Sequence, residues 1–370
     1  MREATRFPLI EMHGSHFEMG RQYGTQCRDM IRELAGTFDP IFVRDEKLYE
    51  GSHQAMEAAI PIVEAAAPWL IEEVRGIADG CGLGFEETFR LSCSAEAGQW
   101  RGCMQRRSEV SIKDVKDDEC TSFAANTADG TLVAWNMDWY QALLPYMVLL
   151  HGKPDDQPDF LSFALVGSVG RPGLSEHIAI GANQLPYRPT AAPPEGGPHW
   201  GGPGIPYCCI SRMLLAQSST EDAIEVLNNT RRMCCLNYTI GDEGGDICAV
   251  ETTPDATSVL RPDESFLTHA NTFHSPDFQG MPEEERAERD PRAYTSHRLL
   301  SEQAEKIDRH VIADAQTHHF PGETGGICIH REFDEWPAIT LLSFIGEVGK
   351  GRMWAAYGSP CKHEFLEYGL

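Results

Sequence analysis

The chain has 370 residues and a formal net charge of −25, from 31 basic and 56 acidic side chains. Such a surface repels phosphate backbones and anionic lipid, so the expectation is no nucleic-acid and no membrane partner. Hydrophobic content of 41% and aromatic content of 9% are ordinary globular values that exclude wholesale disorder. The opening MREATRFPLIEMHG has no apolar core of signal-peptide length, and the apolar stretch from Ala58 to Leu70 is interrupted by Glu64 and prolines. A soluble, cytoplasmic protein is expected.

Residues 54–90 come first among the predicted elements. Apolar residues recur at threes and fours with many alanines, the helical pattern, and Pro61 and Pro68 start or kink helices there. Gly80, Gly82 and Gly84 mark a break. Their Gly-x-Gly-x-Gly spacing follows a helix rather than a strand, so it is not a dinucleotide loop. Residues 104–119 are polar and highly charged, an exposed connection. The texture then changes at Cys120, where CTSFAANTADGTLVAWNMDWY reads as strand, turn and strand about Ala128-Asp129-Gly130. Strands are predicted at Asp159–Val166, Ile178–Gln184, Asn237–Ile240, Ile247–Thr252, Phe266–Phe273, Ile339–Ile345 and Met353–Tyr357. Helices are predicted at Ile210–Gln217, at Thr220–Asn229 with Ser219 or Thr220 as N-cap, and at Tyr294–Ile307. Strand clusters separated by long helices suggest layered α+β architecture. The Pro/Gly-rich stretch 189–206 is longer than a connector needs, and reads as either a lid or a surface insertion.

The 12 cysteines include no Cys-x-x-Cys pair, so the usual structural zinc spacing is absent. Most read as reduced, buried small hydrophobes, with vicinal disulfides at Cys208-Cys209 and Cys234-Cys235 as a minority alternative. His318-His319 cannot easily share one metal through both rings, and no His-Glu-x-x-His spacing exists, so no catalytic metal and no cofactor are expected. Gly167-Ser168-Val169-Gly170 misses the spacing of a serine nucleophile elbow.

Cys120 needs a different explanation. A polar linker ends in Asp118-Glu119, and a cysteine opens a strand. An N-to-S acyl shift that broke the Glu119–Cys120 bond would free an α-amine beside the thiol. With a reference pKa of roughly 7.7–8.0, that amine can serve as base near neutral pH. A three-residue loop at Ala128-Asp129-Gly130 would set Thr127 opposite Thr131 and Cys120 opposite Asp138, whose carboxylate could orient the amine. A two-residue loop would instead place Trp139 opposite Cys120 and Asp138 on the other face. Ala-Asp-Gly, with a left-handed glycine, suits the longer loop.

Cys120-Thr121 with Asn136-Met137-Asp138-Trp139 resembles the nucleophile strand and Asn-x-Asp-Trp motif of the acyl-coenzyme A:6-aminopenicillanic acid acyltransferase family. Other stretches follow in the same order: Gly14-Ser15 with Glu18-Met19-Gly20 and Gly24; Gly173-Leu174 with Ile180-Gly181-Ala182-Asn183; Leu236-Asn237-Tyr238 with Glu251; Thr268-His269-Ala270-Asn271; and Ala356-Gly358-Pro360-Cys361. No single motif decides, but the ordered set is specific and spans nearly the whole chain. The resemblance implies a four-layer αββα sandwich of two antiparallel sheets, the N-terminal-nucleophile hydrolase fold. It also implies a precursor split into a helix-rich segment 1–119 and a catalytic segment 120–370 that together form one domain, with acyl transfer through an acyl-cysteine. Carried over by position, Cys120 is the nucleophile, Asp138 steadies the amine and Asn271 supplies an oxyanion-hole amide.

Two departures stand out. Glu119 occupies the place where the family has glycine, and Gly326-Ile327-Cys328-Ile329-His330 stands where relatives show Ser-Ile-Cys-Arg-His. Arg292, Arg298 and Arg331 are the candidates to replace the missing arginine, although each reads more readily as a surface or salt-bridge residue. His269 and His274 flank Asn271 and read either as pocket-lining residues or, more readily, as hydrogen-bonded structural histidines. The implied activity is amide hydrolysis or acyl transfer on a small-molecule amide or acyl donor, with the negative field favouring a neutral or cationic amide. The chain's own N-terminal fragment would be its partner, and homo-oligomerisation is open. The competing expectation is an unprocessed, non-catalytic binding module on the same fold.

Overall fold

Two β-sheets pack face to face, with helices on both outer faces, in the computed structural model, which describes residues 2–44, 46, 49–99, 120–186, 202–278, 280–321, 325–331 and 337–370. In chain order the strands are β1 (Leu9–Gly14), β2 (Cys120–Thr127), β3 (Gly130–Tyr140), β4 (Met147–Pro154), β5 (Phe160–Leu165), β6 (Gly173–Ser175), β7 (Ile178–Gln184) and β8 (Leu236–Asp242). They continue as β9 (Ile247–Thr252), β10 (Thr257–Leu260), β11 (Phe266–His269), β12 (His330–Arg331), β13 (Ala338–Glu347), β14 (Arg352–Tyr357) and β15 (Leu366–Gly369). One sheet has eight strands in the order β1-β4-β5-β6-β7-β8-β9-β10. The other has seven, running β11-β2-β3-β13-β14-β15 with β12 paired to β13. Among these strands only β1 and β4 pair in parallel. The αββα sandwich expected from the resemblance is the fold of this chain.

Strand alternation explains the layering. Cys120, Ser122 and Ala124 share one face of β2 and look toward the eight-stranded sheet. Ser122 Oγ donates to Asn183 Oδ1 at 2.5 Å and lies 2.7 Å from Thr239 Oγ1, both across the interface. Phe123 and Ala125 point the other way, into a separate apolar cluster with Leu300 and Ile312 of the covering helices. A strand covered on both faces loses its polar alternation, and every residue of β13 is buried.

Helices α1 (His16–Gln26), α2 (Arg28–Phe38), α3 (Tyr49–Glu57), α4 (Ile60–Ala66), α5 (Pro68–Cys81) and α6 (Phe85–Leu91) fill the N-terminal part. Pro61 and Pro68 fall in the first turns of α4 and α5, where the missing N–H is harmless. Helix α1 starts at a capping box in which Ser15 and Glu18 satisfy each other's backbone. Glycines let α1 and α5 cross in backbone contact. A Cβ at Gly20 would stand 2.0 Å from the Glu73 carbonyl oxygen, and one at Gly76 would stand 2.1 Å from that of Phe17. Gly24 and Gly80 repeat the pattern one turn on, at 2.3 and 2.5 Å from the carbonyl oxygens of Ile77 and Arg21. The Gly20 and Gly24 of the N-terminal motif therefore serve helix packing.

Three expectations need correcting. The hairpin loop has two residues, Ala128-Asp129, and Thr127 pairs with Gly130, so Cys120 lies opposite Met137, neither Asp138 nor Trp139. Gly130 does take a positive φ, 127°, but as the first paired residue of β3 rather than the last of the loop. The strand expected at Phe266–Phe273 stops at His269, because the chain turns to carry Asn271 back toward Cys120. The helix expected at Tyr294–Ile307 runs Pro291–Ser301, begun by Asp290 accepting from the Ala293 amide at 3.1 Å. Ser219 is the N-cap of Thr220–Asn228. Neither Cys208 and Cys209 nor Cys234 and Cys235 are joined in a vicinal disulfide. Glu119 with the rest of the charged connection 104–119, and residues 189–201 of the Pro/Gly-rich stretch, lie outside the described residues. No helix among the described residues is long and apolar enough to cross a membrane.

Candidate active site

Cys120 opens β2 and is 5% exposed. Its face of the strand borders a small pocket of about 30 Å³ between the sheets, lined by Met137, Trp139, Ala182 and Leu236 among apolar groups and by Asp138, Gln184 and Arg171 among polar ones. The thiol therefore faces a cavity inside the sandwich.

The backbone nitrogen of Cys120 donates to Asn271 Oδ1 at 2.8 Å. Asn271 Nδ2 in turn donates to the Gln184 carbonyl at 2.8 Å. One partner is a donor and the other an acceptor, so the carboxamide has a single sensible orientation. Asn271 can hold this position because β11 pairs beside β2 and the following turn is pinned from behind. Buried Glu251 accepts from His269 Nε2 at 2.8 Å, from the His274 amide at 2.5 Å and from the Ser275 amide at 3.0 Å. Burial opposes ionisation of Glu251, but these donors outweigh it and hold its carboxyl below the usual range. His269 and His274 are thus structural, as expected: their rings stack with centroids 4.3 Å apart. Burial and the neighbouring His269 push His274 down to about 4.

Asp138 sits one residue beyond Met137, so its side chain leaves β3 on the face opposite that of Met137, toward the covering helices, while still bordering the pocket. It is 1% exposed and accepts from Thr340 Oγ1 at 2.5 Å and from Arg292 Nη1 at 3.1 Å. Arg292 is carried by the first turn of the helix Pro291–Ser301. The cap of that helix, Asp290, is brought down to about 2: burial opposes this, but the nearby His274 ring at 3.8 Å and hydrogen bonds from Thr272 Oγ1 and the Ala293 amide prevail. Asn271 and Arg292 therefore hang from one connected set of side chains. Of the three candidate arginines, Arg292 reaches the site, whereas Arg298 pairs with Glu302 on the helix surface.

Arg171 gave no signal in the sequence. It lies in the Gly-rich turn between β5 and β6, is 3% exposed, and donates through Nη2 to Ser94 Oγ at 2.8 Å. Its guanidinium lies over Trp139 at 4.6 Å and over Tyr207 at 5.5 Å, and its Nε has no hydrogen-bond partner among the described residues. A single arginine in a turn looks like any surface arginine. Only the folded chain shows that it brings positive charge to the Cys120 pocket.

The family model described as Acyl-coenzyme A:6-aminopenicillanic acid acyl-transferase matches residues 198–362. Among solved structures, the chain is similar to the Caenorhabditis elegans N-acylethanolamine-hydrolyzing acid amidase ortholog at 14% identity and TM-score 0.44, covering 62% of this chain and 93% of that one. It is similar to a mutant conjugated bile acid hydrolase from Clostridium perfringens at 14% identity and TM-score 0.43, covering 68% and 97%. The penicillin V acylase from Agrobacterium tumefaciens follows at 12% identity and TM-score 0.43, covering 64% and 82%. With scores this low, the sheet order and layering define the fold. Residues 198–362, a little under half of the chain, are thus similar to the acyl-coenzyme A:6-aminopenicillanic acid acyltransferase family, and the chain as described has the four-layer αββα fold expected from that resemblance.

Proposed function

We propose that this chain is a self-processing amide hydrolase or acyltransferase with Cys120 as its nucleophile. In processing, Cys120 Sγ attacks the Glu119 carbonyl carbon, the peptide C–N bond breaks, and a thioester forms. Water then hydrolyses the thioester, leaving residues 1–119 and 120–370 as associated fragments of one domain. In turnover, the freed α-amine takes the thiol proton as sulfur attacks a substrate carbonyl, and returns it to the departing amine. Water resolves the acyl-cysteine in hydrolysis; a second amine resolves it in transfer.

The observation that carries this reading is the 2.8 Å contact from Cys120 N to Asn271 Oδ1, because that nitrogen is the one processing would release as the base. A side-chain acceptor already aimed at it would fix the amine's orientation beside the thiol. Asp138, held by Thr340 and Arg292, supplies the nearby negative charge that favours a protonated amine in the transition state. For the oxyanion role, Asn271 Nδ2 must exchange the Gln184 carbonyl for the developing oxyanion. The apolar walls suit an apolar acyl group, and Arg171 offsets the chain's overall negative field within the pocket, so a substrate with one polar or anionic end fits better than a cation.

Denaturing mass spectrometry tests the proposal directly. Two fragments meeting at Glu119/Cys120, with a Cys120→Ala variant that stays whole and inactive, support it. One intact chain that turns over no amide supports the binding-module reading instead, to which Glu119 in place of glycine lends some weight.

A further inference from the structure

Four metal-binding side chains from separate stretches converge beside the strand that carries Thr340. They are His319, just after the helix Arg309–Gln316; Cys328 and His330, flanking Ile329; and Cys361, in the turn after β14. One ligand atom from each lies within 4.8 Å of every other. Cys328 Sγ is 3.8 Å from Cys361 Sγ and 3.6 Å from His330 Nε2, and His330 Nε2 is 2.9 Å from Cys361 Sγ. The His319 and His330 rings stack with centroids 5.2 Å apart. Both cysteines are free thiols, and His319 Nε2 is buried without a hydrogen-bond partner among the described residues.

We propose that these four residues form a structural zinc site of the Cys₂His₂ type. Tetrahedral zinc, with Zn–S of about 2.3 Å and Zn–N of about 2.0–2.1 Å, sets sulfur–sulfur edges of about 3.8 Å and sulfur–nitrogen edges of about 3.6 Å. Two of the three separations match those edges, and the third needs Cys361 and His330 to part by about 0.7 Å. Two thiolates neutralise the dication, so the half-buried ion carries no net charge penalty, and each bound thiol releases its proton to solvent. Four protein ligands close the coordination shell, which makes the ion structural and leaves no open position for substrate. The ligands are spread over 319–361 in a Cys-x-His arrangement, outside the spacings by which zinc sites are read from sequence.

Two other groupings of potential ligands are different. Glu251 in the Glu251–His269–His274 set is already committed to ring and backbone N–H groups, and the Glu221–Asp242–Asp246 set is met by Arg261 and Thr220. The proposed zinc site has a definite consequence for the fold. Ile329, between two ligands, donates its N–H to Thr340 Oγ1 at 3.0 Å and accepts the Thr340 N–H at 3.2 Å, and Thr340 Oγ1 donates to Asp138. Zinc would therefore hold the segment that fixes Thr340 against Asp138.

The full-length chain, purified under reducing conditions and desalted, should retain one zinc per chain by elemental analysis and native mass spectrometry. Exchange for cobalt should give thiolate-to-cobalt charge-transfer bands and intense tetrahedral d–d bands. Cys328→Ser or Cys361→Ser should weaken metal retention about a hundredfold, a quarter share of the affinity of a four-ligand structural site. Cys120→Ser and Cys27→Ser should keep the metal. Absence of stoichiometric metal in the wild-type chain, an octahedral cobalt spectrum, or a Cys328–Cys361 disulfide in peptide mapping of the native protein would overturn the proposal. The wild-type measurements decide the matter even where a ligand variant fails to fold.

Discussion

Arg292 reaches from the first turn of its helix to Asp138, Nη1 to Oδ2 at 3.1 Å, and joins a buried carboxylate to the helical layer across the sheet. The arginine is 11% exposed and the aspartate side chain is fully buried. Removing one partner of a buried pair leaves a charge uncompensated, at a cost on the order of 3–5 kcal/mol. Arg292→Leu should therefore lower the unfolding free energy by an amount of that order and reduce kcat more than it raises KM. Asp138→Asn should relieve the buried charge and lose less stability, yet still impair turnover. Equal activity in both variants and the wild type would remove this pair from the chemistry.

The motif order along the chain singles out Cys120, Asp138 and Asn271 as candidates; Cys120 and Asp138 border one pocket, and Asn271 accepts from the Cys120 nitrogen. What the sequence could not give was the way they meet. A one-residue difference in loop count sends Asp138 to the far face of β3, because side chains alternate with a period of two. Ala128-Asp129-Gly130 is compatible with either count, and only pairing with β11 and β13 on both flanks settles it. Ser15 and Glu18 spell a capping box, so the start of α1 was legible in the letters. Arg171 and the His319–Cys361 grouping were not, since long-range packing alone brings their members together.

His274 predicts an acid-side loss of stability. Burial depresses its folded pKa from 6.5 to about 4, so the unfolded chain binds a proton that the folded chain refuses. The stabilisation is complete above about pH 6.5, falls as pH drops toward 4, and amounts to roughly 2–3 kcal/mol over that window. Urea melts at pH 7 and pH 4.5 should differ by an amount of this order beyond the general acid trend. A His274→Gln variant should show a shallower slope. An unchanged slope would mean that other groups carry the acid sensitivity.

Two glycine-to-alanine changes in the N-terminal helices should act with opposite sign. At Gly20 the added methyl meets backbone oxygen 2.0 Å away, so α1 and α5 must separate, costing about 3 kcal/mol or more. Gly36, exposed on α2, has nothing within 4 Å of the new carbon. There alanine should stabilise by about 0.5–1 kcal/mol through helix propensity and a less flexible unfolded chain. Thermal melts of the two variants make the comparison, and matching shifts would refute the close helix crossing.

Asn271 allows its two hydrogen-bonding ends to be separated. Asn271→Asp keeps an oxygen for the Cys120 nitrogen but loses the N–H that now meets Gln184 and would serve an oxyanion; Asn271→Ala loses both. Removing an oxyanion donor costs about 10²–10³-fold in kcat, while loss of the amine's acceptor acts on its position and so also on processing. Asn271→Asp should therefore be cleaved at Glu119–Cys120 nearly as fast as the wild type yet turn over slowly. Asn271→Ala should be slow in both steps. Mass spectrometry times the first step and amide turnover by the processed protein times the second. If both variants match the wild type in both steps, the carboxamide beside Cys120 is scaffolding, and the base and the oxyanion donor have to be sought elsewhere around the pocket.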